Sequence, residues 1–84
     1  MTHHLKIQPE YYEAVLAGTK RFEVRKDDRV PRYAVGDTLI LAEFADGAYT
    51  GRDAAVLVDY VYRGAFCIDG YCIMSIRLLQ EGGV

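Results

Sequence analysis

The sequence contains no tryptophan and only two each of cysteine, proline and methionine. Two cysteines, Cys67 and Cys72, are too few for the disulfide framework that small secreted domains rely on, so both thiols are expected to be reduced. No apolar run approaches the roughly 20 residues that cross a bilayer. No charged-then-apolar leader opens the chain. These absences exclude a membrane span at this level and point to a cytoplasmic protein. His3-His4 is at most half of a metal site, because neither a Cys-x-x-Cys nor a third histidine accompanies it. No metal and no cofactor is therefore expected.

What remains is globular in composition: 84 residues, 51% hydrophobic and 26% charged, with seven tyrosines. That length is one domain, residues 1–84, with a small core. The net charge of −2 argues against tight, sequence-independent binding to nucleic acid, which depends on neutralising phosphates. The distribution of charge says more than the sum. Between Lys20 and Arg32 lie six cations and three acids, a local excess of three positive charges, whereas the rest of the chain holds four cations and nine acids. A basic segment on an acidic body is a local footprint for an anion. The blander alternative is a solvated strand face whose charges pair with one another.

Taken in order, His3 to Ile7 reads as a strand with Leu5 and Ile7 inward and His4 and Lys6 outward. Pro9 suits a first helical position and Glu10 suits the positive end of the helix dipole. Ile7 and Tyr12 are spaced as a hydrophobic staple. Tyr12, Val15 and Leu16 make an apolar stripe. Gly18 is the expected left-handed stop, giving a helix from Pro9 to Ala17. That helix is too short to survive unpacked.

The next strand contains Phe22-Glu23-Val24-Arg25. Side chains alternate across a strand. Phe22 and Val24 are expected to face the core, where the helix can pack on them, with Arg21, Glu23 and Arg25 on the opposite face. Asp27 to Tyr33 is a polar loop broken by Pro31, and Val35-Gly36-Asp37 is a tight turn. Thr38 to Phe44 is a strand, Asp46-Gly47 is a hairpin signal, and Tyr49 to Arg52 is expected to extend that connection. Ala54 to Tyr62 and Tyr71 to Leu79 are the remaining strands, joined by a loop from Gly64 to Gly70. The apolar residues on both faces of the last strand suggest a central position. The tail from Glu81 to Val84 is expected to fray. The predicted class is mainly β with one N-terminal helix: about five strands curled into a mixed barrel, the helix closing one end.

Gly18-x-Lys20-x-x-Glu23-x-Arg25 followed by Val35-Gly36-Asp37 resembles the signature of the ASCH domains of the PUA-like superfamily. More closely, the chain is similar to a short bacterial and phage family within that group. His3, Leu5-Lys6-Ile7, Pro9 to Val15, Tyr49 to Arg52 and Gly70-Tyr71-x-Ile73 to Ile76 extend the likeness over nearly the whole chain. The resemblance implies a PUA-like pseudobarrel whose Lys-x-x-Glu-x-Arg element lines a cleft beside the helix and takes RNA or a nucleotide-like ligand. Lys20, Glu23 and Arg25 would converge there, with Lys6, Lys26 and Arg29 at the rim. Arg25 would fork two hydrogen bonds to a phosphate or base edge. Lys20 would supply a mobile charge. Glu23 would orient Arg25 or accept from an exocyclic amine. Tyr11, Tyr33 and Tyr49 are candidate stacking platforms, weighed against simple packing.

One branch of the ASCH group is similar to a small amidohydrolase acting on acylated cytidine, through a lysine, a threonine and a glutamate on a helical insertion. Lys20 matches the lysine. Glu23 stands at the threonine position and cannot act as a hydroxyl nucleophile, and seven residues from Gly64 to Gly70 leave no room for the insertion. Two of the three catalytic groups thus have no counterpart, although a Glu23/Lys20 acid–base pair remains open. A binding module is preferred over turnover, with a protein-interaction or regulatory domain as the third reading. Oligomeric state is not legible.

Overall fold

Alternation of buried and exposed residues shapes the first strand. In the computed structural model, which describes residues 1–83, β1 spans Thr2–Ile7 and buries His3, Leu5 and Ile7 while Thr2, His4 and Lys6 face solvent. Helix α1 follows at Pro9–Leu16, with Pro9 at its start and Glu10 in its first turn. The helix stops at Leu16, one residue short of the expected end, and Ala17 is its C-cap. The chain then reverses at Gly18, whose φ is 78°. The amides of Thr19 and Lys20 both return to the carbonyl of Ala14 and close the helix end.

The other strands are β2 (Phe22–Lys26), β3 (Thr38–Ala45), β4 (Ala48–Tyr62) and β5 (Tyr71–Gly83). They form one sheet in the order β1-β3-β4-β5-β2. The β1–β3 pair is parallel and the other pairs are antiparallel. Asp46 and Gly47 both take positive φ, 53° and 82°, so the β3–β4 connection is a two-residue turn between Ala45 and Ala48. Residues 49–52, expected as loop, are instead strand, with Phe44 opposite Tyr49 and a register shift between Ala42 and Phe44. Glu81, Gly82 and Gly83, expected to fray, pair with Ala54, Asp53 and Arg52 of β4. Val84 lies outside the described residues. β5 is central as expected, between β4 and β2. Among the described residues, no helix is long and apolar enough to cross a membrane.

The sheet is a half-barrel whose concave side is filled by Leu39, Leu41, Val56, Val58, Cys72 and Met74, all essentially inaccessible. Tyr12 and Val15 of α1 complete this core. The helix sits at the end of the sheet where β1 and β3 finish and β4 begins. Its Tyr12 hydroxyl donates to the Asp53 carbonyl at 3.0 Å. Arg52 crosses the Tyr12 ring and bonds Glu43 on β3 and Glu13 on α1, tying three elements together.

The sidedness of β2 is the reverse of the sequence expectation. Glu23 is buried, at 3% exposure, while Phe22 and Val24 are each 48% exposed. The residues that share a face were paired correctly, but the charged face turns inward. β2 is an edge of the sheet, and inward-pointing charge is a recognised way to keep a strand edge from pairing with another chain. α1 accordingly packs against β3 and β5, not on Phe22 and Val24.

Nothing lies within 4 Å of a Cβ built on Gly18, so a side chain there meets only backbone strain. Gly18→Val is expected to lower stability by about 1–2 kcal/mol, the cost of a left-handed L-residue, read as a fall in Tm. The thiols should also separate. Cys72 is fully buried and its burial raises the thiol pKa, whereas Cys67 is half-exposed in the 63–70 loop. A maleimide should label Cys67 in the native protein and leave Cys72 until unfolding. Equal rates would contradict this packing.

Candidate functional site

β1 and β2 are the two edges of the sheet, yet the curl brings them face to face. Side chains of the Lys20–Arg32 segment span the gap. Arg25 Nη2 donates to the Lys6 carbonyl of β1 at 2.9 Å, and Arg29 Nη2 donates to the His4 carbonyl at 3.3 Å. Two carbonyls of an unpaired strand edge are thereby satisfied by guanidinium groups.

Beneath this bridge sits Glu23. Arg25 Nε donates to its Oε1 at 2.7 Å. Its other oxygen pairs with the ammonium of Lys20, which also donates to the Phe22 carbonyl at 2.7 Å. Both cations are mostly shielded, with side chains 15% and 22% exposed. A carboxylate held in such surroundings requires its partners, because an unpaired buried charge is costly. Arg25 thus has two anchors already, Glu23 and the β1 carbonyl, and its orientation is preset.

The triad forms part of the wall of a cavity of about 450 Å³, also lined by Lys6, Ile7, Gln8, Tyr11, Phe22 and Val24. Three cations stand there against one acid. The Lys20 ammonium lies 5.8 Å from the Tyr11 ring centre and 5.0 Å from that of Phe22, so two half-exposed aromatic rings flank the charge. Such a site can present ring faces to a flat group and fixed N–H donors to an anion or a carbonyl edge.

Lys20, Glu23 and Arg25 converge as expected from sequence. The proposed rim is less complete. The Lys6 ammonium is drawn onto the Phe44 ring, 4.3 Å from its centre, although Lys6 still lines the cavity. Arg29 crosses the Tyr33 ring at 5.6 Å and braces β1. Lys26, the exposed last residue of β2, is not among the residues that line the cavity. Of the three tyrosines, Tyr11 lines the cavity. Tyr33 is buried against His3, with ring centres 4.6 Å apart, and so offers no stacking face. Tyr49 packs edge-on to Phe44, away from the cleft lining. Phe22 and Gln8 were not foreseen in the site. Reading Phe22 as core hid it, and Gln8 carries no pattern that singles it out. The His3-His4 pair is split by strand alternation. His3 Nε2 lies 2.8 Å from Asp37 Oδ2, in a buried cluster that also takes the Ala34 amide. Among the described residues no group of three metal-ligating side chains occurs.

A second cavity, of about 540 Å³, lies at the other end of β2 beside the 63–70 loop. Its two cations, Arg32 and Arg63, both bond Asp27 Oδ2 at 2.6 Å, and Arg63 also donates to the Tyr33 carbonyl. Two acids, Asp27 and Asp69, balance those two cations, so this cavity has no cation surplus and is the weaker candidate despite its size.

Fold and cleft together define a small half-barrel β protein with a preset charged site at the seam of its sheet. Residues 2–76 match the family described as "Domain of unknown function (DUF3850)", and the chain belongs to that family. It is 38% identical over 79 residues to an Escherichia phage P2 protein named "Uncharacterized 12.9 kDa protein in GpA 3'region", an overlap covering 94% of this chain and 70% of the relative.

The Asp27 cluster has a consequence in acid. Hydrogen bonds from Arg63 and Arg32 outweigh burial and lower the Asp27 pKa from 3.8 to about 2. A carboxylate whose folded pKa is depressed adds stability above its unfolded pKa and loses it as pH falls through the folded one. The Asp27 contribution should be complete above about pH 4 and vanish towards pH 2. Melting curves across that window should show a smaller pH slope for Asp27→Asn than for the parent, and equal slopes would count against the cluster.

Proposed function

We propose that this protein is a PUA-like module of the ASCH type that binds RNA or a nucleotide-like ligand in the Lys20–Glu23–Arg25 cleft. The observation that carries this reading is the buried Glu23 carboxylate clamped between Lys20 and Arg25 at the wall of an aromatic-flanked cavity. Charge placed at that depth needs a reason beyond solubility. Arg25 is held ready to donate, and Tyr11 or Phe22 supplies a face for a base. The curled five-stranded sheet with its single helix fits the expected pseudobarrel. Free Cys67 and Cys72 suit the cytoplasmic setting this reading carries.

The cleft favours binding over acyl transfer. Its lining residues include no serine, threonine or cysteine. The Thr19 hydroxyl donates to the Ala14 carbonyl at 3.2 Å, at the helix end. The 63–70 connection forms no helix.

Calorimetric titration with ribonucleoside monophosphates, alongside melts of the same variants, tests the reading. Arg25→Ala is expected to weaken binding by about 1–3 kcal/mol, the scale of a lost charge-assisted hydrogen bond. Glu23→Gln should have a mild effect if Glu23 only orients Arg25, and should shift selectivity among bases if it accepts a ligand amine. A lowered Tm with unchanged affinity in Arg25→Ala would make the Glu23–Arg25 pair purely structural and end the binding-site reading. Chromatography of acylated and alkylated nucleosides after incubation checks for turnover.

A further inference from the structure

The cleft has a balance of donors and acceptors that its net charge does not convey. An arginine side chain carries five N–H groups and a lysine ammonium three, and neither can accept a hydrogen bond. Arg25 spends Nε on Glu23, and Nη2 on Glu23 and the Lys6 carbonyl. Its Nη1, with two N–H groups, has no partner among the described residues. Lys20 spends one N–H on Glu23 and one on the Phe22 carbonyl, which leaves one. The acceptors on the same wall are already occupied. Glu23 is 3% exposed, and each of its carboxylate oxygens faces a cation. The Lys6 and Phe22 carbonyls take Arg25 and Lys20, and the Gln8 carbonyl takes the amides of Tyr11 and Tyr12. Among the described residues, the lining side chains whose acceptors have no partner are Gln8, which does not cap its helix, and Tyr11, both on the helix side.

The β2 side of the cleft is thus a wall of donors. The rings of Tyr11 and Phe22 flank it at the Lys20 ammonium, with centres 5.8 Å and 5.0 Å away. A flat group seated against those rings has to turn acceptors toward Arg25 and Lys20. A ligand N–H pointed there would meet other N–H groups and lose the hydrogen bond it made with water. The bases differ in what they can offer such a wall. Guanine presents two neighbouring acceptors, O6 and N7, on one edge. On the corresponding edge adenine sets an amine beside N7, cytosine shows an amine, and the 4-oxo pyrimidines show a single oxygen.

We propose that the cleft selects a 6-oxopurine, guanine or hypoxanthine, whose O6 and N7 accept from Arg25 Nη1 and the remaining Lys20 N–H. The inference rests on the nucleotide reading of the cleft and narrows it to one base edge. Glu23 is then a positioning residue: it holds both donors in place and does not itself touch the base.

Calorimetric titration of the parent protein, at one salt concentration, with the monophosphates of guanosine, inosine, adenosine, cytidine and uridine provides the test. Guanosine and inosine monophosphates are expected to bind alike, because the 2-amino group lies off the O6–N7 edge. Both should bind roughly five- to hundredfold more tightly than adenosine monophosphate, the discrimination given by one matched edge. The 7-deaza analogue of guanosine monophosphate, which lacks the N7 acceptor, should lose most of that advantage. Arg25→Ala should bring guanosine monophosphate down toward adenosine monophosphate. Equal or tighter binding of the adenosine or cytidine nucleotide to the parent would overturn the inference and leave the cleft a nucleotide site. Competition by inorganic phosphate as strong as that by guanosine monophosphate, with no binding of guanosine itself, would seat the phosphate on Arg25 and Lys20 and overturn it as well. If none of the five nucleotides binds, the nucleotide reading fails and takes this inference with it.

Discussion

The bridge from Arg25 across the open seam is the contact on which the rest of this structure depends. A five-stranded half-barrel leaves two strand edges, and here curvature sets β1 opposite β2 without pairing them. Main-chain groups facing such a gap need partners. Arg25 supplies one to β1 while its Nε stays on Glu23, and Lys20 closes the other side of the same carboxylate. One interaction thereby explains why β2 turns its charged face inward. It also explains why Phe22 and Val24 lie outside, and why a cavity opens along the seam instead of a continuous barrel wall.

The same device recurs elsewhere in the molecule. Glu43 is buried and accepts hydrogen bonds from Arg52 and Thr50, which keep its carboxyl below the usual range. Burial works against ionisation of Asp37, but His3 and the Ala34 amide outweigh it and leave that carboxyl low as well. Asp27 holds Arg32 and Arg63. Among the described residues no buried side-chain nitrogen or oxygen lacks a hydrogen-bond partner. A chain of this length buries little apolar surface. Its elements are registered against one another by charged pairs as well as by the core, and specificity of arrangement is the best-attested use of such pairs. The Glu23 cluster differs from the others in lining a cleft with a cation surplus and flanking rings, which is why a binding role is proposed there.

Much of the fold was legible in local patterns. Pro9, Glu10 and Gly18 bracket α1 to within a residue, because caps depend on backbone chemistry that neighbours cannot override. Asp46-Gly47 marked its turn for the same reason. The extension of β4 back to Ala48 and of β5 to Gly83 was not legible. Gly51, Gly82 and Gly83 have poor strand propensity, and Gly82 and Gly83 are held by pairing with Asp53 and Arg52 of β4. In the site, the spacing of Lys20, Glu23 and Arg25 was sufficient to group them. Phe22 and Gln8 were missed, Lys26 was misplaced, and of the two readings open for Tyr33 packing is the one the structure adopts.

The sequence by itself determined which residues share a face, where α1 begins and ends, and where basic charge is concentrated. These follow from the period of a strand, the stereochemistry of proline and glycine, and a count of ionisable groups. Only the tertiary structure decided which face of β2 is the inner one. Alternation is symmetric under exchange of the two faces, so Phe22 and Val24 could point to either side until the curl of the sheet set β1 opposite β2. Once that edge needed a donor, Arg25 had to reach the Lys6 carbonyl, and Glu23 followed it inside.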